Sequence, residues 1–390
     1  MKGHSGGEDG QTLILVMMIT TVLFILSIAL GTMTLMVYTN VIRQEEYIKA
    51  QCAAEAGIEE VIALIKENAE LSDDNKERKI DDGITYSFEL PPEEKQDIGN
   101  SVSINSMGRC QSDAGELLAQ KTLHCTVAVF GAEDYLKGLT ILPVQPANFI
   151  MQGGITIDGN MVLNGSVDIP DTAQITGSIY ASGQVTGDCD GQVYENYDYI
   201  PSFPELDKDY YLQKAVEEEN GHVFYDSVTF ENFDDSLPLP GERTGQSYNI
   251  ANCSGFYYID GNVAISGEYQ ETALIFSTGD INVLGELRSR DIEEENFGIN
   301  KAGLALISLG NVDINNNHVY ANIIAGGSLS VQGGAKLHGA ACVGGLMIHE
   351  NDAVETGLFE IYPVCGPVPI DGAITVNVET KSWKESRRVF

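Results

Sequence analysis

The chain is poor in basic residues and in catalytic motifs. Of its 390 residues only 22 are Lys or Arg, against 57 Asp or Glu, so the formal net charge is −35. Phosphate recognition needs clustered Lys and Arg, and this balance therefore argues against a nucleic-acid-binding surface. HExxH, Walker and CxxC motifs are missing, and the six histidines are scattered. We expect a protein that is not an enzyme and that holds neither a cofactor nor a metal.

Proline and charge are both missing from the start of the chain. No proline precedes Pro91, and no charged residue lies between Asp9 and Arg43. A helix over the apolar stretch Thr12–Asn40 would be about 44 Å long, which exceeds the ~30 Å hydrocarbon core of a bilayer. A cleaved secretory signal peptide fits poorly, because the apolar run is too long and acidic residues precede it. The sequence predicts one retained membrane-spanning helix.

The helical pattern continues beyond this apolar stretch. Between Arg43 and Asn68, residues at steps of three or four form one mostly apolar stripe on a face of a helix. These residues are Tyr47, Gln51, Ala54, Ile58, Val61 and Ile65. The spacing predicts one continuous helix of about 55 residues, apolar at its start and amphipathic at its end.

Two segments of this helix resemble a known family. Gly10 is followed at once by Gln11-Thr12-Leu13-Ile14-Leu15, and the later run Ala53-Ala54-Glu55-Ala56-Gly57-Ile58-Glu59 resembles the AAEAG(I/L)E pattern of PilX-type minor pilins. These are components of type IV pili, similar to the K-type minor pseudopilins of type II secretion. The resemblance covers roughly residues 8–70, and weakens through about residue 130.

The resemblance implies how the chain is processed and where it acts. A prepilin peptidase would cut after Gly10 and methylate the new amino terminus, Gln11. The chain would then be a minor, structural subunit of a type IV pilus or type II pseudopilus. Its partners would be other pilin subunits and the assembly platform. It would span the cell membrane once, or lie in the pilus, with its C-terminal domain outside for assembly or adhesion. The implied assembly-helix residues are Leu15, Ala54, Glu55, Gly57 and Glu59.

Two features depart from the common pilin pattern. The leader is acidic, with Glu8 and Asp9, and Leu15 stands where major pilins carry a glutamate. A buried carboxylate is costly unless it meets a cation, so Leu15 suits a minor component that does not provide that partner. One alternative stays open, in which Gly10 is never cut and the chain is a permanent surface scaffold or adhesin. A carbohydrate-active solenoid enzyme is a further alternative.

Residues 70–146 are expected to form a small antiparallel β head after a loop at Ser72–Lys79. Three stretches alternate with the period of a strand, namely Ile84–Leu90, Ser101–Cys110 and Lys121–Phe130. A long helix followed by such strands matches the architecture of a pilin head. Cys110 and Cys125 flank the predicted hairpin loop and are candidates for a disulfide.

A repeat occupies the chain from residue 147 to residue 366. Gly153, Gly159, Gly165, Asp171, Gly177 and Gly183 start six-residue units whose third residue is apolar. The related pattern Gly-x-Φ-x-Φ (Φ, apolar) starts again at Gly261, Gly279, Gly310, Gly327 and Gly344, at steps of 17 or 18 residues apart from an acidic interruption around Asp291–Lys301. Coils of this length predict a parallel β-solenoid, similar to bactofilin-type repeats, with the apolar residues inside. An antiparallel sandwich is the alternative.

The repeat is interrupted between residues 188 and 254. This stretch is rich in Tyr and acidic residues, and we expect an excursion from one coil, helical near Asp207–Glu219. Cys189 and Cys253 bracket it and are candidates for a disulfide, although two separate buried thiols fit as well. Cys342 and Cys365 are a third candidate pair for a disulfide. His338 and His349 are expected to be solvated at the corners of coils. The excursion should be removable without loss of the solenoid.

The sequence therefore predicts an α+β chain in five parts. They are a leader at 1–10, a transmembrane and amphipathic pilin-like helix at 11–69, a β-rich head at 70–146, a β-solenoid at 147–366 and a C-terminal strand and tail at 367–390.

Overall fold

The structure is a computed structural model. It describes residues 8–66, 77–91, 94–95, 100–112, 114–130, 132–136, 138–151, 154–232, 246–290, 303–315, 318–332, 334–349, 359–362 and 377–386. Several features expected from the sequence lie wholly or partly outside these residues. They are leader residues 1–7, the helix end at 67–69, the loop Ser72–Lys79, the repeat glycine Gly153, the interruption Asp291–Lys301, Cys365 and the tail at 367–390.

The described helices are α1 (Glu8–Lys66), α2 (Ala132–Tyr135) and α3 (Lys208–Glu217), with a 3₁₀ turn at Ile250–Asn252. The described strands are β1 (Arg78–Asp81), β2 (Ile84–Glu89), β3 (Glu94–Lys95), β4 (Asn100–Gln111), β5 (Leu117–Phe130), β6 (Gly138–Ile141), β7 (Ala147–Ile150), β8 (Ile155–Ile157), β9 (Asn160–Leu163), β10 (Gly165–Asp168), β11 (Gln174–Ile175), β12 (Ile179–Ala181), β13 (Val185–Thr186), β14 (Val193–Tyr194), β15 (Gly221–Phe224), β16 (Val228–Glu231), β17 (Gln246–Asn249), β18 (Gly255–Ile259), β19 (Val263–Tyr269), β20 (Ala273–Ser277), β21 (Ile281–Ser289), β22 (Leu304–Ser308), β23 (Val312–Ile314), β24 (His318–Val319), β25 (Asn322–Gln332), β26 (Ala335–His338), β27 (Ala341–His349), β28 (Phe359–Tyr362) and β29 (Asn377–Ser386).

The chain forms two compact units. The head comprises Met1–Glu93, Val102–Val127 and Thr380–Phe390, and the solenoid unit comprises Glu94–Ser101 and Ala128–Glu379. The head sheet has the order β1-β2-β4-β5-β29, with β3 beside β4. Its last strand, β29, comes from the C-terminal end of the chain. The solenoid is therefore an insertion between two strands of the head sheet.

The solenoid has three faces, each built from parallel strands. In its regular coils, residues that pair on adjacent coils are 18 or 17 positions apart in the sequence. Face 1 stacks β15, β18, β20, β22, β25, β27, β6, β9, β12 and β14 in that order. Face 3 stacks the ends of β19 and β21, then β24, β26, β28, β8 and β11. The parallel coils and their spacing confirm the solenoid expected from the glycine repeat.

Face 2 is made of two separate sheets. One stacks β17, β16, β19, β21, β23, β25 and β27, and the other stacks β7, β10 and β13. The interior between the three faces is lined mostly by aliphatic side chains, among which Val312, Ile314, Leu329 and Val331 are fully buried. The apolar residues expected inside the coils stack in columns, because Val312 pairs with Leu329 and Leu329 pairs with Leu346.

The coils do not follow one another in space as they do in sequence. The chain enters at β6, in the middle of face 1, and winds to β14 at one end. It then crosses to β15 at the opposite end and winds back until β27 pairs with β6, where Ala341 lies opposite Leu139. We call residues 138–194 the early block, residues 221–362 the late block, and their contact the seam.

The crossing segment is shorter than the sequence suggests. β14 at its start, and β15, β16 and β17 towards its end, are coil strands, which corrects the expected excursion at 188–254. Residues 195–220 connect the two ends of the solenoid and carry α3, which confirms the predicted helix near Asp207–Glu219. The Tyr211 ring stacks on Phe276 with 4.0 Å between centroids. Face 1 is thus covered on its outer side, which explains why β20 and β22 are apolar at nearly every position.

Polar side chains connect successive coils at the corner where the repeat glycine lies. The Asn262 side-chain oxygen accepts a hydrogen bond from the Asp280 N–H at 2.9 Å, and Asp280 accepts one from the Asn311 N–H at 2.7 Å. Asn311 in turn accepts one from the Ser328 N–H at 2.9 Å. The second residue of the Gly-x-Φ pattern therefore satisfies backbone donors that the corner would otherwise leave unpaired.

Candidate assembly helix and the sheet it packs on

The first part of α1 presents apolar side chains on every side. Leu15, Phe24, Leu35 and Val41 are each more than half exposed. The hydroxyls of this part bond back along the helix, as Ser27 donates to the Leu23 carbonyl at 2.8 Å and Thr39 to the Leu35 carbonyl at 2.6 Å. These polar groups need no water, so α1 is long and apolar enough to cross a membrane once.

The second part of α1 packs on the head sheet. Four members of the predicted stripe, Ala54, Ile58, Val61 and Ile65, are buried, which confirms the amphipathic pattern. Two other predicted members, Tyr47 and Gln51, are only half-buried. Ala50 and Ala53 are fully buried as well, so the contact is broader than the stripe expected from the sequence.

The helix approaches the sheet most closely where both elements have small residues. A Cβ atom added to Gly108 of β4 would lie 2.0 Å from the Ala50 carbonyl oxygen and 2.5 Å from the Ala54 backbone nitrogen. A Cβ atom on Gly57 would lie 2.3 Å from the Ser106 hydroxyl oxygen. The alanines and the glycine of the AAEAGIE run therefore contact the chain's own sheet.

Polar contacts at either side of this crossing hold the helix to the sheet. Lys121 of β5 is buried, donates to the Tyr47 hydroxyl at 2.5 Å, and lies 4.5 Å from the centre of that ring. Towards the helix end, Glu60 pairs with Arg78 and accepts a hydrogen bond from the Tyr86 hydroxyl. Sequence reasoning missed Gly108, Lys121 and Tyr86, because their roles depend on which strand lies under the helix.

The other residues singled out from the resemblance lie apart from this contact. Gly10 and Gln11 belong to the first turns of α1. Glu55 is half-buried and accepts a hydrogen bond from the Gln51 side chain at 2.9 Å, and Glu59 is exposed. The structure thus groups Ala54 and Gly57 against the sheet, and leaves Leu15 and Glu59 on the helix surface.

The candidate disulfide between Cys189 and Cys253 is wrong. Cys189 lies between β13 and β14 at one end of the solenoid, whereas Cys253 follows β17 at the other end. Strands from β18 to β12 stack between them on face 1, and both thiols are free. Burial raises the pKa of the Cys253 thiol to about 12, so this group is an inert core side chain.

Cys110 and Cys125 are also separated. The hairpin of β4 and β5 closes between Ser112 and Glu116, and His124 contacts Asn105 across it. In this register Cys125 faces the region of residue 104 and Cys110 the region of residue 118, several pairs apart along the ladder. A disulfide requires Cα atoms within roughly 7 Å, which this register does not allow.

His338 departs from the expected solvated corner. Its side chain is 7% exposed and stacks on the Tyr320 ring, with 4.1 Å between centroids and 7° between planes. Burial lowers its pKa to about 4, and neighbouring His318 and Lys336 act in the same direction. His338 is therefore neutral in the folded chain at physiological pH.

Comparisons with known proteins add little. No family model matches the chain, and no curated protein matches it. Among solved structures it is similar to a competence-associated pilin, ComZ, from Thermus thermophilus. That similarity has a TM-score of 0.36 at 11% sequence identity, and it covers 87% of this chain and 97% of that chain. A likeness this slight transfers neither a fold nor a residue role.

Proposed function

We propose that this chain is a minor pilin-like, non-enzymatic subunit of a type IV pilus or type II pseudopilus. It carries the β-solenoid outside the cell, for assembly or adhesion. The observation that carries the proposal is α1 itself, a single helix of 59 residues. Its first part exposes apolar side chains on all sides, and its second part packs on the chain's own antiparallel sheet.

This division of the helix suits a subunit that moves from a membrane into a filament. An all-round apolar helix is stable in lipid and equally stable among other apolar helices. The small residues of the AAEAGIE run are occupied by the head sheet, so the first part of α1 is the surface left for other pilin subunits. The assembly platform and the prepilin peptidase are the further partners in this proposal.

Processing after Gly10 tests the proposal. In cells that contain a prepilin peptidase, the mature chain should begin at methylated Gln11, as measured by intact mass. Gly10→Leu should leave the precursor uncut, whereas the control Gly7→Leu, in the same leader, should be cut normally. If the wild-type protein retained its leader in these cells, the pilin proposal would be overturned.

A permanently anchored surface scaffold is the second candidate. It is favoured by the acidic leader and by Leu15, which depart from the common pilin pattern. The two candidates differ in where the protein is found. A pilin-like subunit should appear, with its leader removed, in sheared filament fractions, while an anchored scaffold should stay in the membrane fraction at full length.

A further inference from the structure

The seam is the only contact among the described coils that joins residues about 200 positions apart. On face 1, Leu139, Thr140 and Ile141 pair with residues 341–343. On face 3, residues 155–157 pair with residues 359–361. Each of these ladders has three residue pairs, the same number that β25 and β27 share on face 1. β25 and β27 share five further pairs on face 2, and the seam has no counterpart of these among the described residues.

Face 2 is open at the seam. No pairing joins β27 to β7 in the described part of the chain, and a cavity of about 200 Å³ lies between them. It is lined by apolar side chains, including Phe149, Met161, Leu346 and Ile348. Leu346 and Ile348 are only half-buried, although their partners on the previous coil, Leu329 and Val331, are fully buried.

The reason for the opening is visible in the local sequence. Five residues, Leu142–Pro146, connect β6 to β7, whereas Asn164 alone connects β9 to β10 in the next coil. Pro143 and Pro146 have no N–H to donate to β27. The polar ladder at the repeat corner also stops here, because Gly345 lies opposite Ser328 and has no side chain to extend it.

The paired part of the seam contains a further weakness. The Thr140 hydroxyl is buried on face 1, opposite Cys342, and makes no hydrogen bond within the described residues. A buried, unpaired polar group costs about 1–3 kcal/mol. The adjacent members of this column, Ile324 in the late block and Val162 in the early block, have side chains without polar atoms.

We propose that the solenoid divides at this seam. β27 and β28 release β6 and β8 while the strands inside each block stay paired. The opening separates the first strand of the early block, β6, from the last face 1 strand of the late block, β27. This inference does not depend on the pilin proposal.

Amide hydrogen exchange on the full chain in detergent micelles tests the inference. The seam donors are the Leu142 N–H, bonded to the Val343 carbonyl, and the Asp158 N–H, bonded to the Ile361 carbonyl. Their exchange should be at least tenfold faster than that of the Met161 N–H in the early block and the Leu309 N–H in the late block. Equal protection at all four amides would overturn the inference, because the solenoid would then open as one unit.

A disulfide cross-link across the seam provides a second test. Thr140→Cys places a thiol directly opposite native Cys342 on adjacent strands, which are about 4.8 Å apart. The oxidised variant should slow exchange at Leu142 and Asp158 to the level of the block interiors, and reduction should reverse the effect. The control pairs Leu274→Cys with Ala305→Cys, adjacent strand partners inside the late block. It should leave the seam amides unchanged, and slowing of the seam amides by this control would count against a separate opening.

Discussion

Alternation along a solenoid strand decides what each residue contributes to stability. Ile314 is fully buried between Val283 and Val331 of the neighbouring coils. Asp313, one residue earlier, lies between Asn282 and Ser330 on the outer side of the same strand. The two positions differ only in the direction of the side chain.

Ile314→Ala should therefore destabilise the solenoid far more than Asp313→Ala. Truncation of a buried Ile typically costs about 2–5 kcal/mol, through lost transfer energy and a residual cavity. An outward substitution usually changes stability by less than about 0.5 kcal/mol. Chemical denaturation of the detergent-solubilised chain measures both. Equal losses for the two variants would mean that the coil register is wrong.

His338 makes stability depend on pH. Its pKa is about 4 in the folded chain, below its ordinary value of 6.5, so the unfolded chain binds its proton first as the pH falls. This contribution to stability is complete above pH 6.5 and is lost as the pH falls towards 4. A shift of this size corresponds to about 3 kcal/mol.

The pH effect is measured as a difference between two variants. Thermal unfolding of the wild-type chain should weaken between pH 7.5 and pH 4.5 by more than that of His338→Phe, which keeps a ring to stack on Tyr320. Both chains contain the same carboxylates, so the effect of carboxylate titration on stability cancels in the difference between them. If the two chains lose stability in parallel, His338 is not the group responsible.

Among the elements, α1 and β4 meet with almost no space between their backbones. Gly108 allows this approach, since any side chain there would overlap the backbone of α1 at Ala50 and Ala54. Gly31, in the exposed part of the same helix, has nothing within 4 Å of an added Cβ atom. The two glycines therefore allow a matched comparison of crowding.

Gly108→Ala should loosen the helix from the sheet, at a cost of about 1–3 kcal/mol, because overpacking forces the backbones apart. Gly31→Ala should be neutral, or slightly stabilising through helix propensity. Exchange of the buried helix amides from Ala53 to Val61 reports the loosening directly. Unchanged protection in the Gly108 variant would show that the contact yields without cost.

The whole molecule is organised by its insertion into the head. A solenoid wound in sequence order would begin and end at opposite ends, yet here the chain must return from it to β29, in the same sheet as β5. The observed order places the first strand, β6, against β27, and β8 against β28. The first and last described strands of the solenoid, β6 and β28, thus both lie at the seam.

The stacking order of the coils contradicts the expectation that the excursion at 188–254 can be removed without loss of the solenoid. β14 and β15 lie at opposite ends of a ten-strand stack, about 43 Å apart at a strand spacing of ~4.8 Å. A four-residue Gly-Ser link in place of residues 195–220 reaches less than about 20 Å and should abolish the parallel fold. A 26-residue Gly-Ser link, equal in length to the segment it replaces, should preserve the fold at lower stability.

Infrared spectra and thermal unfolding of the two linker variants check the expectation. The 26-residue link lacks the packing of Tyr211 on Phe276 but is long enough to connect β14 to β15. It therefore shows how much stability comes from side-chain contacts and how much from the length of the connection. Native-like unfolding of the four-residue variant would show that the two blocks are stacked in a different order.

Short-range patterns in the sequence determined the elements of this protein. Absence of charge and proline predicted α1, and the Gly-x-Φ-x-Φ spacing predicted coils, their register and the inward residues, because periodicity is a property of neighbouring residues. The stacking order, the place of β29 and the separation of Cys189 from Cys253 were decided only by tertiary structure. Coils that share one pattern present similar strand edges, so the sequence leaves their order open. The order is fixed by the pairing of β27 with β6 and of β28 with β8, which joins residues about 200 positions apart.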